Sequence, residues 1–181
     1  DWSSDVCSSD LASATTDTTS ASNISAGTLG KGRLPTGSIL QVVQTWDNTQ
    51  ATYSRDAYIT YLQTSITPLY STSKILVCVN IGAVSSDAAA DFGIIIYRDS
   101  TALALGASAS STNATFIPFM NKGSGDVNTG NFMYLDSPAT TSAIAYKFQN
   151  KINAGRTLYY NRRGVGADCA SGSSVILMEI A

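Results

Sequence analysis

Histidine is missing from this 181-residue chain altogether. Its absence removes the usual general base at neutral pH, the commonest transition-metal ligand, and the Ser-His-Asp and Cys-His catalytic pairs. Cysteine is almost as scarce. Cys7, Cys78 and Cys169 are far apart, so there is no C-x-x-C or other close metal pair. Cys78, inside KILVCVNIG, reads as a small buried apolar residue, and Cys169, in a polar loop, as a free thiol. Charged residues make up only 13% of the chain, against about 25% in an average globular protein. The formal net charge is −2. There is no basic field for nucleic acid and no polybasic arm for a membrane surface. The longest apolar runs, such as Ile75 to Val79, are far too short for membrane insertion.

What takes the place of charge is Ser and Thr, 45 of the 181 residues. Thr is β-branched and Ser competes with the helix backbone for hydrogen bonds, so both favour strands and turns. From Ser38 onward ten short strand-like runs follow one another: SILQVVQ, YITYLQTSIT, KILVCVNIGAV, FGIIIYR, TALALG, TFIPFM, NFMYLDS, AIAYKFQNKI, TLYYNRR and SVILMEIA. Clusters of Ser, Gly, Asn, Asp and Pro separate them, and none holds a 3.6-residue period over eleven residues. The pattern predicts an all-β, antiparallel β-sandwich of jelly-roll type. Several runs are apolar on both faces. In KILVCVNIGAV, Ile75, Val77, Val79, Ile81 and Ala83 share one side, and Leu76, Cys78 and Val84 the other. A sandwich normally wets one face of each sheet, so a second burial surface is expected: a homo-oligomeric interface or an overlying loop.

The chain before Ser38 is different in kind. Residues 12–37 are rich in Ala, Ser, Thr and Gly without a hydrophobic period, and alone cannot offset their ordering entropy. They are expected to form a linker or extended stalk. Ile24, Leu29 and Leu34 recur at five-residue spacing, which suits packing against other chains better than within one. Residues 1–11, DWSSDVCSSDL, resemble a translated sequencing-library adapter rather than a protein segment. On that resemblance they are non-native content, Trp2 and Leu11 should pack against nothing, and the chain is the C-terminal part of a longer protein. Without Asp1, Asp5 and Asp10 the net charge becomes −2 + 3 = +1.

The order of a stalk ending ASNISAGTLGKGRLPTG, a strand SILQVVQ, then ITPLYSTSKILVCVNIG, FMYLDSPATTSAIAYKFQNKI and SVILMEIA resembles the C-terminal region of tail fibre proteins of tailed bacteriophages, over residues 22–181. The resemblance implies a homotrimeric fibre, extracellular on the virion. It would end in a tumour-necrosis-factor-like jelly-roll head over residues 38–181. The head's work would be adsorption to a bacterial surface glycan or protein. A non-adhesive virion component, such as a capsid decoration or assembly domain, is the alternative. A polysaccharide depolymerase is a third.

Depolymerisation usually needs two carboxyl groups flanking the scissile bond. Most carboxylates here, among them Asp47, Asp56, Asp87, Asp91, Asp99, Asp126, Asp136 and Asp168, sit where Asp serves turns, and no pair stands out. A non-enzymatic protein without cofactor or metal is expected. Glu179, inside the last strand, shares a face with Val175 and Leu177. It is either a solvent-facing or Arg-paired edge residue, or one of a ring around a trimer axis holding a cation. Asp126, Asn128 and Asn131 in GSGDVNTGN miss the spacing of a calcium loop and read as a polar turn.

Glycan binding asks for an exposed aromatic face beside planar hydrogen-bonding groups. Trp46 with Asp47 in QTWDNTQ, and Tyr159, Tyr160, Arg162 and Arg163 in TLYYNRRG, supply these groups. Competing with that role, Trp46 can cap the core, and one of two adjacent strand Tyr must face inward. The loop between Met120 and Asn131, with Asp126 and Asn128, is a further candidate surface.

Overall fold

A backbone this rich in β-branched residues and turn formers has little from which to build a helix, and its named elements are all strands. The computed structural model describes residues 33–54, 58–103, 117–121, 123, 125–152, 155–164, 166 and 169–181. The adapter-like peptide and all but the last five residues of the 12–37 segment lie outside them. The chain divides into two compact units, Asp1–Pro35 and Thr36–Ala181, and the second carries the strands. These are β1 (Ile39–Asp47), β2 (Ala51–Tyr53), β3 (Ile59–Ile66), β4 (Lys74–Ser86), β5 (Ala90–Arg98), β6 (Thr101–Leu103), β7 (Ile117–Asn121), β8 (Asn128–Asp136), β9 (Ile144–Ile152), β10 (Leu158–Tyr160) and β11 (Ser173–Ile180). Each of the ten runs above contains one strand. β2 went unread because its three residues, ATY, belong to no longer strand-like run, unlike those of β6 and β10.

The pairings nest. β5 pairs with β7, β4 with β8, β3 with β9 and β1 with β11, all antiparallel, as if one long hairpin had been rolled up. β11 also pairs with β4, and β9 with β5, which closes the roll into two sheets. One sheet runs β1-β11-β4-β10-β2 with β8 on the other side of β4, and the second runs β3-β9-β5-β6 with β7 beside β5. This is the expected jelly-roll sandwich, with β2, β6 and β10 as additions.

Period-2 alternation builds the core. Ile75, Val77, Val175 and Leu177 of the first sheet, and Ile94, Ile96, Tyr146 and Phe148 of the second, are all fully buried and belong to one cluster. A register shift in β4 between Ile81 and Val84 changes which side chains face inward, so Val84 also enters the core. One polar link crosses the sandwich. Asp136 at the end of β8 accepts two 2.8 Å bonds from Arg98 Nη1 of β5 and a 2.7 Å bond from the Tyr146 hydroxyl of β9. Burial, then that hydrogen bond, push the Tyr146 phenol far above its ordinary range.

The outward faces of the two sheets differ. On the second, Thr60, Gln63 and Ser65 of β3 lie opposite Gln149, Lys147 and Ala145 of β9, a surface fit for water. On the first, register aligns Val42, Met178, Leu76 and Leu135 in one row across β1, β11, β4 and β8. The next row holds Gln44, Ile176, Cys78 and Met133, and the third Trp46, Ser174, Asn80 and Asn131. Val42 is 57% exposed and Met133 70%. The two-sided apolar pattern of KILVCVNIGAV is therefore real, and Cys78 belongs to the outward face, half-buried, rather than to the core.

Glu179 corrects both sequence readings. It faces inward and is fully buried, so it is neither a solvent-facing or Arg-paired edge residue nor part of an open axial ring. Its partners are the Leu69 N–H at 2.8 Å, the Tyr70 N–H at 3.2 Å and Gln41 Nε2 at 2.6 Å. Desolvation pulls its pKa up, but the hydrogen bonds from Gln41, Leu69 and Tyr70 outweigh it, and the net pKa is lowered.

Candidate functional site

Strand register carries most of the sequence-selected residues to one end of the first sheet. Asp47 lies opposite Ser173, Asn128 opposite Val84, and Tyr160 also opposite Val84. The end of β1, the start of β8 and the segment after β10 therefore converge although they are far apart in sequence.

Asn161 ties them together. It adopts a left-handed backbone (φ 55°), which Asn tolerates better than most residues, and this turns the chain out of β10. Its N–H donates to Ala83 O at 2.7 Å and its Nδ2 to Asp47 O at 2.8 Å and Thr49 O at 3.2 Å. Its Oδ1 accepts from Ser173 Oγ at 2.8 Å. A fully buried side chain with that many partners sets the position of the β1 end against the 161–172 loop. Sequence reading passed it over, although an Asn directly after a strand is itself a turn signal.

The aromatic candidates rest on glycines. The Trp46 indole lies over Gly172, whose missing Cβ would collide with the ring, and it remains 61% exposed. It does not cap the core. Tyr159 lies over Gly164 in the same manner, where a Cβ would come within 2.5 Å of the Tyr159 ring. Each ring thus rests one face against backbone, where a side chain on the glycine would displace it.

Tyr160 has to leave the set of ligand-binding candidates. Alternation along β10 sends Leu158 and Tyr160 into the core and Tyr159 away from it. Tyr160 is 2% exposed, its ring 4.6 Å from that of Tyr61, and burial raises its phenol pKa well above the ordinary value. Tyr159 takes its place, with the Arg162 guanidinium 5.2 Å from its ring centroid.

Arg163 reaches the neighbouring loop, donating from Nε to Gly125 O at 2.9 Å. The adjoining Asp126 accepts the Gly123 N–H at 3.0 Å, and Asp47 accepts the Thr49 N–H at 2.8 Å. Both carboxylates hold turns. Asn128 is half-buried at the start of β8. The end of the sandwich therefore presents two seated aromatic rings and two guanidinium groups on a hydrogen-bonded frame, an arrangement fit for binding. Among the described residues no group of three His, Cys, Asp or Glu side chains could hold a metal ion.

No family model and no curated protein matches this chain. Among solved structures it is similar to that of the infectious bursal disease virus Gx strain, at 14% identity and a TM-score of 0.39, over 78% of this chain and 37% of that one. It is also similar to the VP2 subviral particle of infectious bursal disease virus, at 15% identity and a TM-score of 0.34, over 78% and 37%. The Gt strain structure matches at 15% identity and a TM-score of 0.35, over 87% and 41%. The chain spans less than half the length of each of these structures.

Proposed function

We propose that this chain is a virion protein, the distal head of a homotrimeric phage tail fibre, which binds a glycan on the bacterial surface without chemistry. One observation carries the binding part. Trp46, Tyr159, Arg162 and Arg163 lie toward the same end of the first sheet, each ring with one face on a glycine, the Arg162 guanidinium beside Tyr159, and the β1 end tied to the segment after β10 by Asn161. Preorganisation of that kind lowers the entropic cost of holding a flat sugar face. The tail fibre part rests on the sequence resemblance over residues 22–181.

Glycan-array and whole-cell binding by the full chain tests the reading. Binding to a defined surface glycan, lost in Trp46→Ala and in Arg162→Ala with the fold intact, is the expected result. Uniform absence of binding to cells of every host type tried would favour a non-adhesive assembly or decoration domain. The apolar outer face of the first sheet gives that second reading its own support. Release of reducing ends from capsule would point instead to a depolymerase.

A further inference from the structure

We infer that the outward face of the β1-β11-β4-β8 sheet is an interface between copies of this chain, centred on Leu76, Cys78, Ile176 and Met133. The inference bears on the self-association clause of the proposed function; Trp46 stands in the third row of the same face, so the interface takes the first two rows and leaves Trp46 at its rim.

The second sheet of the same molecule supplies the comparison. Both sheets are antiparallel, and such sheets ordinarily keep one face for water. The β3-β9 part of the second sheet does so with Gln, Thr, Ser and Lys, while the same rows end in Ile95 and Tyr97 of β5. The three aligned rows on the other sheet hold twelve side chains without one charge, and seven of the eight in the first two rows are apolar or thiol-bearing. A face left in water has no physical reason to avoid charge so completely.

Size favours a protein partner over a small ligand. Four strands about 4.8 Å apart, followed over about eight residues at roughly 3.3 Å each, give a flat footprint of about 500 Å². With its rim it approaches the roughly 800 Å² per partner of a specific complex. Ile39 (57% exposed) next to Ile180 extends the apolar surface along β1 and β11, and Lys74, opposite Ile180 on β4, ends it there.

Shape and edge chemistry favour a second copy. Between β11, β4 and β8 lies an open trough of about 300 Å³, lined by Cys78, Ser174, Ile176, Asn80, Asn131 and Met133. The side chain at its wall, Met133, is the most exposed large apolar group among the described residues. Every copy therefore offers both an apolar knob and an apolar recess on one face, the condition for self-complementary packing. The exposed edge strand β1 carries neither Lys nor Pro, and no charge before Asp47, so it lacks the usual devices that discourage association.

Light scattering on the full chain, with oxidation of Met133 by dilute peroxide followed by mass spectrometry, tests the inference. A wild-type mass that is a multiple of 19.0 kDa is expected. Met133 should then oxidise at least tenfold more slowly than free methionine, although 70% of it is exposed in a single chain. Met133→Lys and Ile176→Lys should each lower the mass to one chain while keeping the β-type circular dichroism, and Gln63→Lys on the opposite sheet should leave it unchanged. A wild-type monomer at tens of micromolar overturns the inference, and if Met133 is protected in that monomer the cover comes from within the chain. A wild-type oligomer in which Met133 oxidises freely, or whose folded variants keep the full mass, also overturns it and leaves the fibre reading standing. A mass of three chains, 3 × 19.0 = 57 kDa, agrees with both proposals. A mass of two with Met133 protected supports the interface and refutes the trimer.

Discussion

Replacing Glu179 by Gln takes a negative charge out of a fully buried site where backbone and side-chain donors converge on it. The Gln amide keeps one acceptor oxygen but turns an NH2 group toward N–H donors that no longer have an acceptor. A hydrogen bond to a charged group contributes about 1.5–3 kcal/mol net, and an unsatisfied buried donor costs a similar amount, so the loss should be about 3 kcal/mol. For a domain of this size that is a fall in Tm of about 6–12 °C. The pH dependence separates this mechanism from simple misfit. The folded pKa lies below the unfolded value of 4.5, so the carboxylate's contribution is complete above about pH 4.5 and fades as pH falls through the lowered folded value. The gap between wild type and Glu179→Gln should be full at pH 7 and should narrow in acid. Urea unfolding at one fixed protein concentration, from pH 7 to pH 3, measures it. A difference below about 0.5 kcal/mol at pH 7, the range of an ordinary surface substitution, would refute the reasoning. So would a difference that stays constant down to pH 3.

Asp136→Ala strands Arg98 and the Tyr146 hydroxyl between the sheets and should cost about 3–5 kcal/mol in denaturant unfolding. The double variant Asp136→Leu, Arg98→Met should recover a large part of that loss. Gly172→Ala should lift the Trp46 indole off its seat, shifting its fluorescence and weakening glycan binding at least tenfold, with far less effect on cooperative unfolding. Gly82→Ala, whose Cβ would meet the Gly172 carbonyl oxygen at 2.5 Å, should instead destabilise by about 1–3 kcal/mol. Tyr160→Phe should leave glycan binding unchanged, because the ring stays in the core and only the hydroxyl is lost.

The inward set of β4 and the strand positions themselves could be read from the chain, since alternation is a property of a few neighbouring residues. KILVCVNIGAV announced both a core face and a second apolar face. Alternation also required that one of Tyr159 and Tyr160 point inward, but could not say which. That choice depends on the phase of β10 against β4, which the irregularity between Ile81 and Val84 sets. Asp136 looked like any Asp at the end of a run, because its Arg partner lies 38 residues away on another sheet. Asn161 drew no notice for the same reason. Its partners Asp47 and Thr49 are more than a hundred residues earlier.

Composition and local pattern by themselves determined that this chain is all-β, poor in charge, without histidine chemistry, and apolar on more surface than one sandwich core needs. These follow from residue types and from the two-residue period of a strand, both of which are local. Tertiary structure alone decided how the strands nest, which Tyr is buried, what holds the Glu179 carboxylate, and where the spare apolar side chains go. Each of those depends on register between segments remote in sequence. Register places Leu76, Cys78, Ile176 and Met133 side by side on a single uncharged face.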